Sequence, residues 1–140
     1  MNGWLLDTNV IAELARPDGA VRVQDWASEQ EEHLLFISVL TLGEYDKGLN
    51  HMPPGNPLRP RIAASIAALE VRFDGRTLMV TESVVRRWGA ISGATKRLTR
   101  QSPPVIDTLL AATAIEHDLC LVTRNVRDVR HSGANVFNPW

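Results

Sequence analysis

The sequence predicts an α/β fold, a short parallel sheet of four to five strands flanked by helices on both faces, in one domain over residues 1–140. Three observations predict it. Short apolar runs recur along the chain, and longer stretches with helical spacing of apolar residues separate them. Strands that alternate with helices in this way are those of a parallel sheet sandwiched between helical layers. Finally, 140 residues hold no repeat, no low-complexity tract and no composition shift that would mark a second domain, yet suffice to bury a core without staples.

The elements follow in order. Trp4, Leu5 and Leu6 form an apolar run that reads as a buried strand, Asp7 ends it, and Val10, Ile11 and Leu14 take up helical spacing. Pro17, Asp18 and Gly19 mark a turn. Val21, Val23, Trp26 and Ala27 then suggest an amphipathic helix, which ends in the polar run Ser28–His33, with Glu29, Glu31 and Glu32 on a solvated face. Leu34–Ile37 is a second strand, and Ser38 is placed to cap the helix after it, where Leu42, Tyr45 and Leu49 share one face and Glu44 and Gly48 another.

Four prolines and a glycine make His51–Pro60 a loop. Ile62–Phe73 reads as a helix, Thr77–Val80 as a third strand, and Glu82–Leu98 as a helix with the stripe Val84, Val85, Trp88 and Ile91. Pro103 and Pro104 favour a helix start, so Val105–His117 follows as a strongly apolar helix with Ile106, Leu109, Leu110, Thr113 and Ala114 turned inward. Leu119–Val122 is the fourth strand, Asn125–Val129 a short helical turn, and Ala134–Phe137 an edge strand.

Composition narrows the class. Charged residues make up 22%, hydrophobic ones 44%, and net charge is −1, which excludes a bulk polycation that coats nucleic acid. Cys120 is the one cysteine, so there is no internal disulfide and no cysteine zinc cluster, in keeping with a reducing compartment. With no leader-like start and no membrane-length apolar run, the expected location is the cytoplasm.

Four acids carry the functional expectation. Asp7 follows the first strand, Glu44 lies in the helix after the second, Asp107 opens the helix before the fourth, and Asp128 follows the fourth behind Thr123, Arg124 and Asn125. The carboxyl ends of parallel strands open on one rim, where ligands gather. Four carboxylates meeting there would repel by several kcal/mol unless a cation stood among them. Oxygen-only donors suit a hard divalent ion, Mg²⁺ or Mn²⁺, and such ions serve phosphodiester hydrolysis. Each acid also has a structural alternative. Asp7 caps a helix; Glu44 closes a capping box with Thr41; Asp107 opposes a helix dipole; Asp128 pairs with Arg124, Arg127 or Arg130.

Positive charge for a polyanion is present locally, in Arg86, Arg87, Lys96, Arg97 and Arg100, with Arg124, Arg127 and Arg130 beside the last loop, or these are simply a solvated face. A haloacid-dehalogenase-like phosphatase would need an acid where Asn9 stands, and a phospho-receiver domain a lysine where Arg124 does.

Four ordered segments, LLDTNVIAEL (5–14), ISVLTLGEYDKGL (37–49), IDTLLAATA (106–114) and LVTRNVRDV (121–129), together with Asn138–Pro139–Trp140, resemble PIN-domain ribonuclease toxins of the VapC/FitB type. The resemblance implies a PIN-like fold with Asp7, Glu44, Asp107 and Asp128 as catalytic metal ligands and Thr123 and Asn125 in support. It further implies Mg²⁺- or Mn²⁺-dependent cleavage of RNA as the toxin of a type II toxin–antitoxin system, a homodimer, and a cognate antitoxin as partner. The alternative it leaves is an inactive PIN-like module acting through partner and nucleic-acid binding. Tyr45 and Asp46 depart from the family pattern after Glu44, as do Ser102–Val105 before Asp107, and Asp46 adds charge near the expected site.

Overall fold

The computed structural model describes all of residues 1–140. Its elements run β1 (Trp4–Leu6), α1 (Thr8–Ala15), α2 (Val21–Ser28), a 3₁₀ turn (Glu32–Leu34), β2 (Leu35–Ser38), α3 (Val39–His51), α4 (Arg59–Arg72), β3 (Thr77–Leu78), α5 (Glu82–Thr99), α6 (Val105–Glu116), β4 (Cys120–Val122), a second 3₁₀ turn (Val126–Val129) and β5 (Val136–Phe137). All five strands are parallel, in the order β3-β2-β1-β4-β5. This is the α/β sheet that the alternation of short apolar runs and helices predicts.

Strand alternation divides the core. Leu6, Leu35, Ile37 and Val122 face Val10 and Ile11 of α1, Val23 of α2 and Phe73 at the end of α4. Leu5 and Leu121, on the opposite face, pack against Leu110, Ala111 and Ala114 of α6 and against Val129. α5 packs in turn on α6. Each fully buried Leu or Phe contributes about 1.5–3 kcal/mol, and a one-residue slip of β1 would exchange Leu5 and Leu6 between the layers. Gly3, at φ +142°, admits β1 to its place: a Cβ there would stand 2.5 Å from the Leu34 carbonyl oxygen.

Several boundaries differ from expectation for local reasons. α4 begins at Arg59 rather than Ile62, because Pro60 falls in the first turn, where a missing N–H costs nothing. β3 spans two residues, as far as its pairing with Ile37 and Ser38 reaches. Val85 and Ile106, expected inside, are 44% and 36% exposed; Val84 and Leu110 take the inward positions of those helices. Val21 is exposed while Val23 is buried and Trp26 packs on the core. Cys120 is buried, and burial pushes its thiol pKa up, as for a packing residue.

The order of strands positions the site. From β1 the chain builds outward through β2 and β3, then returns to build β4 and β5 on the other flank, so the direction reverses between β1 and β4. Connections diverge at such a switch point and leave a crevice at the carboxyl ends of the two strands. Asp7 follows β1 there and Thr123 follows β4.

Candidate functional site

Asp7 is 5% exposed and held from three sides. Its Oδ1 accepts from the Thr8 backbone N–H at 2.6 Å, and its Oδ2 accepts from the Thr123 hydroxyl at 2.7 Å and the Asn9 side-chain amide at 3.2 Å. It is thus the N-cap of α1 and stands in the crevice at once, so capping does not compete with the expected role. Thr123, 1% exposed, also accepts from the Asn125 backbone N–H at 2.9 Å. Burial raises the Asp7 pKa, the Thr123 and Thr8 bonds hold it down, and the Glu44 charge raises it further.

Glu44 arrives from the other side of β1. Ser38 caps α3 by accepting from the Leu40 N–H at 3.0 Å, so Thr41 and Glu44 form no capping box. Glu44 is instead oriented by Thr8, whose hydroxyl donates to its Oε1 at 2.7 Å and pairs with the buried Thr41 hydroxyl at 3.0 Å. Asp107, in the first turn of α6, completes the approach from the opposite helical layer. Burial and the charges of Asp7, Asp128 and Glu44 together push its pKa up to about 6, while the Asn125 side chain favours the ionised form.

Asp107 therefore lies within electrostatic reach of Asp7, Glu44 and Asp128, and Asp7 within reach of Glu44. They line the opening rather than close on a single point: no three of them form a ready-made cation cage. Asp46 is exposed on α3 and is not among the charges that perturb Asp7 or Asp107.

The donor set fits a hard divalent ion. It consists of carboxylate, hydroxyl and amide oxygens without histidine or cysteine, and the charges of Asp7, Asp128 and Glu44 add to burial in raising the Asp107 pKa to about 6. Sequence reasoning missed Thr8 and Asn9 as parts of this site. Their only signal was position: they are the two residues after the strand-end acid, on the first turn of a helix.

The expected basic residues separate. Arg86 lies 3.6 Å from Glu82, one helical turn away and exposed like its partner, and Arg87 pairs with Glu116 of α6. Lys96 and Arg97 lie in the last turn of α5, and Arg100 closes that helix in the left-handed conformation at φ +66°. A polar cavity of about 180 Å³ joins this end of α5, through Thr95 and Thr99, to Asp128, Arg127 and Arg130. Arg124 lays its guanidinium over the Trp140 ring, 4.9 Å from the centroid.

The PIN domain family model matches residues 4–131. The chain belongs to the PIN-domain family. Its PIN domain is 33% identical over 139 residues to Toxin FitB of Neisseria gonorrhoeae, covering 97% of each chain. It is 30% identical over 148 residues to VapC ribonuclease Y4jK of Sinorhizobium fredii, covering 97% of this chain and 96% of that one. Among solved structures, that of FitAB bound to an IR36 DNA fragment superposes with a TM-score of 0.83 at 31% identity, covering 98% of this chain and 95% of the other.

Proposed function

We propose that this PIN domain is a metal-dependent endoribonuclease, the toxin of a type II toxin–antitoxin pair. One observation carries the reading: Asp7, bonded to Thr123 across the β1–β4 switch point, lies within electrostatic reach of Glu44 and Asp107, and Asp107 within reach of Asp128. The similarity to Toxin FitB and to VapC ribonuclease Y4jK supplies the substrate class.

Asp7, Glu44, Asp107 and Asp128 would hold Mg²⁺ or Mn²⁺, with Thr123 and Asn125 in support. When bound, such an ion supplies Lewis acidity toward a phosphodiester and toward attacking water. The chain's own residues prepare the site. Thr123 and the Thr8 N–H oppose the effect of burial on the Asp7 carboxyl and fix which way its oxygens point. Thr8 turns Glu44 toward Asp7, and Asn125 steadies ionised Asp107. Lys96, Arg97, Arg100 and Arg124 bring positive charge to the margins for the flanking phosphates.

An antitoxin is the proposed protein partner, by similarity to FitAB. A groove lined by Ile11, Leu14, Tyr45, Ala68 and Leu69, between α1, α3 and α4, offers such a partner apolar surface. A homodimer is proposed as well. An open cleft of about 630 Å³ beside Glu44, with Val39, Leu40 and Ile106 on its walls, is surface that a second copy would cover. No helix is long and apolar enough to cross a membrane; the cytoplasm is proposed as the site of action from the RNA substrate. The deciding experiment is cleavage of a labelled RNA with Mg²⁺, Mn²⁺ or chelator. Cleavage that needs the cation and disappears in Asp7→Asn supports the reading, and cleavage that survives Asp7→Asn rejects it.

A further inference from the structure

We propose that Trp140 is a positioning residue, whose ring holds the Arg124 guanidinium at the lip of the acid site so that it engages an RNA phosphate beside the one cleaved. This rests on the ribonuclease reading for its substrate and on separate observations for its geometry.

Arg124 follows Thr123 directly, and its backbone N–H lies 3.5 Å from Asn9 Oδ1. The Asn9 amide in turn donates to Asp7. The main chain of Arg124 is thereby fixed two hydrogen bonds from the central carboxylate. Its side chain is exposed and makes no ion pair. Trp140 gives it a resting place, 4.9 Å from ring centroid to guanidinium carbon.

Stacking occupies the face of the guanidinium and leaves its N–H donors, which lie in the plane, free to take a phosphate. The carboxylates stay free for their own work. Topology explains why Trp140 reaches this place. β5 runs parallel to β4, the Thr123 N–H bonds the Phe137 carbonyl at 3.0 Å, and the chain after β5 leaves the sheet on the same rim. Pro139 is buried there, the Trp140 N–H bonds Asn138 Oδ1 at 3.0 Å, and the Trp140 ring packs against the Leu6–Val10–Val122 cluster. The tryptophan is therefore anchored before it touches the arginine.

The test is a double-mutant cycle read by fluorescence anisotropy with a fluorescein-labelled single-stranded RNA, on the cleavage-silent Asp7→Asn background. Trp140→Leu should weaken binding roughly two- to fivefold, the range of an exposed cation–π contact, and Trp140→Phe should recover most of that loss. Arg124→Ala should weaken binding further and flatten the logarithmic salt slope by about 0.7, the value for one phosphate contact on a single strand. The Trp140→Leu, Arg124→Ala pair should bind no worse than Arg124→Ala alone. Trp140→Leu that leaves affinity unchanged, or that costs as much without Arg124 as with it, overturns the proposal. RNA binding indifferent to every substitution overturns it too. The ribonuclease reading is decided separately by cleavage with the unsubstituted chain, so failure of the one is distinguished from failure of the other.

Discussion

Replacing Thr123 by valine removes one hydroxyl and leaves the shape of the side chain. In the folded chain that hydroxyl donates to Asp7 Oδ2 at 2.7 Å, with the threonine 1% and the aspartate 5% exposed. Water has little access to either group, so nothing replaces the lost donor. A hydrogen bond to a charged group is worth about 1.5–3 kcal/mol, and burial of both partners favours the upper half of that range. A newly buried methyl group returns under about 1 kcal/mol, leaving a net loss of about 2 kcal/mol at slightly alkaline pH.

The loss depends on pH. Burial already raises the Asp7 pKa, so in metal-free protein its contribution to stability is full at low pH and declines as pH rises and the carboxyl ionises. Thr123 is the strongest influence opposing that rise, so Thr123→Val steepens the decline. Urea unfolding in chelator from pH 4.5 to 8 should show the difference between the two proteins growing with pH. A difference that is constant across that range, or below about 0.5 kcal/mol at pH 8 where the charged bond would be fully formed, refutes the reasoning.

Three further outcomes are expected. Asp107, raised from 3.8 to about 6, should make the metal-free protein lose stability as pH rises from about 4 to about 6, and urea unfolding of Asp107→Asn should lack that component. Thr8→Val leaves Glu44 without its donor and should lower the cleavage rate about tenfold, the equivalent of one ordinary hydrogen bond, with little change in urea midpoint. Arg97→Glu combined with Arg100→Glu should weaken RNA binding and reduce its salt dependence, whereas Arg87→Ala, which breaks the pair with Glu116, should leave RNA affinity unchanged in the same anisotropy assay.

The sheet was legible because its strands are nearly pure apolar runs, and a residue buried on both faces of a sheet has no other composition open to it. The acids were legible for a related reason: Asp7 stops an apolar run abruptly, and Asp107 stands before the apolar stretch Leu109–Ala112. Pair contacts were not legible. Arg87 belongs to a basic cluster in the sequence, yet Glu116, 29 residues away, neutralises it in the fold. Thr8 resembles an ordinary first-turn residue until Glu44 is brought across from α3. Val85 and Ile106 fit apolar stripes, but a helix buries only the arc its neighbour covers, and periodicity fixes that arc to within one residue at best. Asp7 shows why a cap and a candidate ligand need not be alternatives: the strand-to-helix junction that needs the cap lies at the switch point.

Calorimetric titration with Mn²⁺ at pH 7.5 tests most directly whether the carboxylates around the β1–β4 crevice form a divalent-cation site. Saturable binding is expected for the unsubstituted chain, accompanied by a gain of about 2.7 kcal/mol in unfolding free energy at a hundredfold excess over Kd. Both signals should vanish in Asp7→Asn and in Asp107→Asn. Absence of Mn²⁺ binding to the unsubstituted chain, or undiminished binding after either substitution, would contradict the assignment.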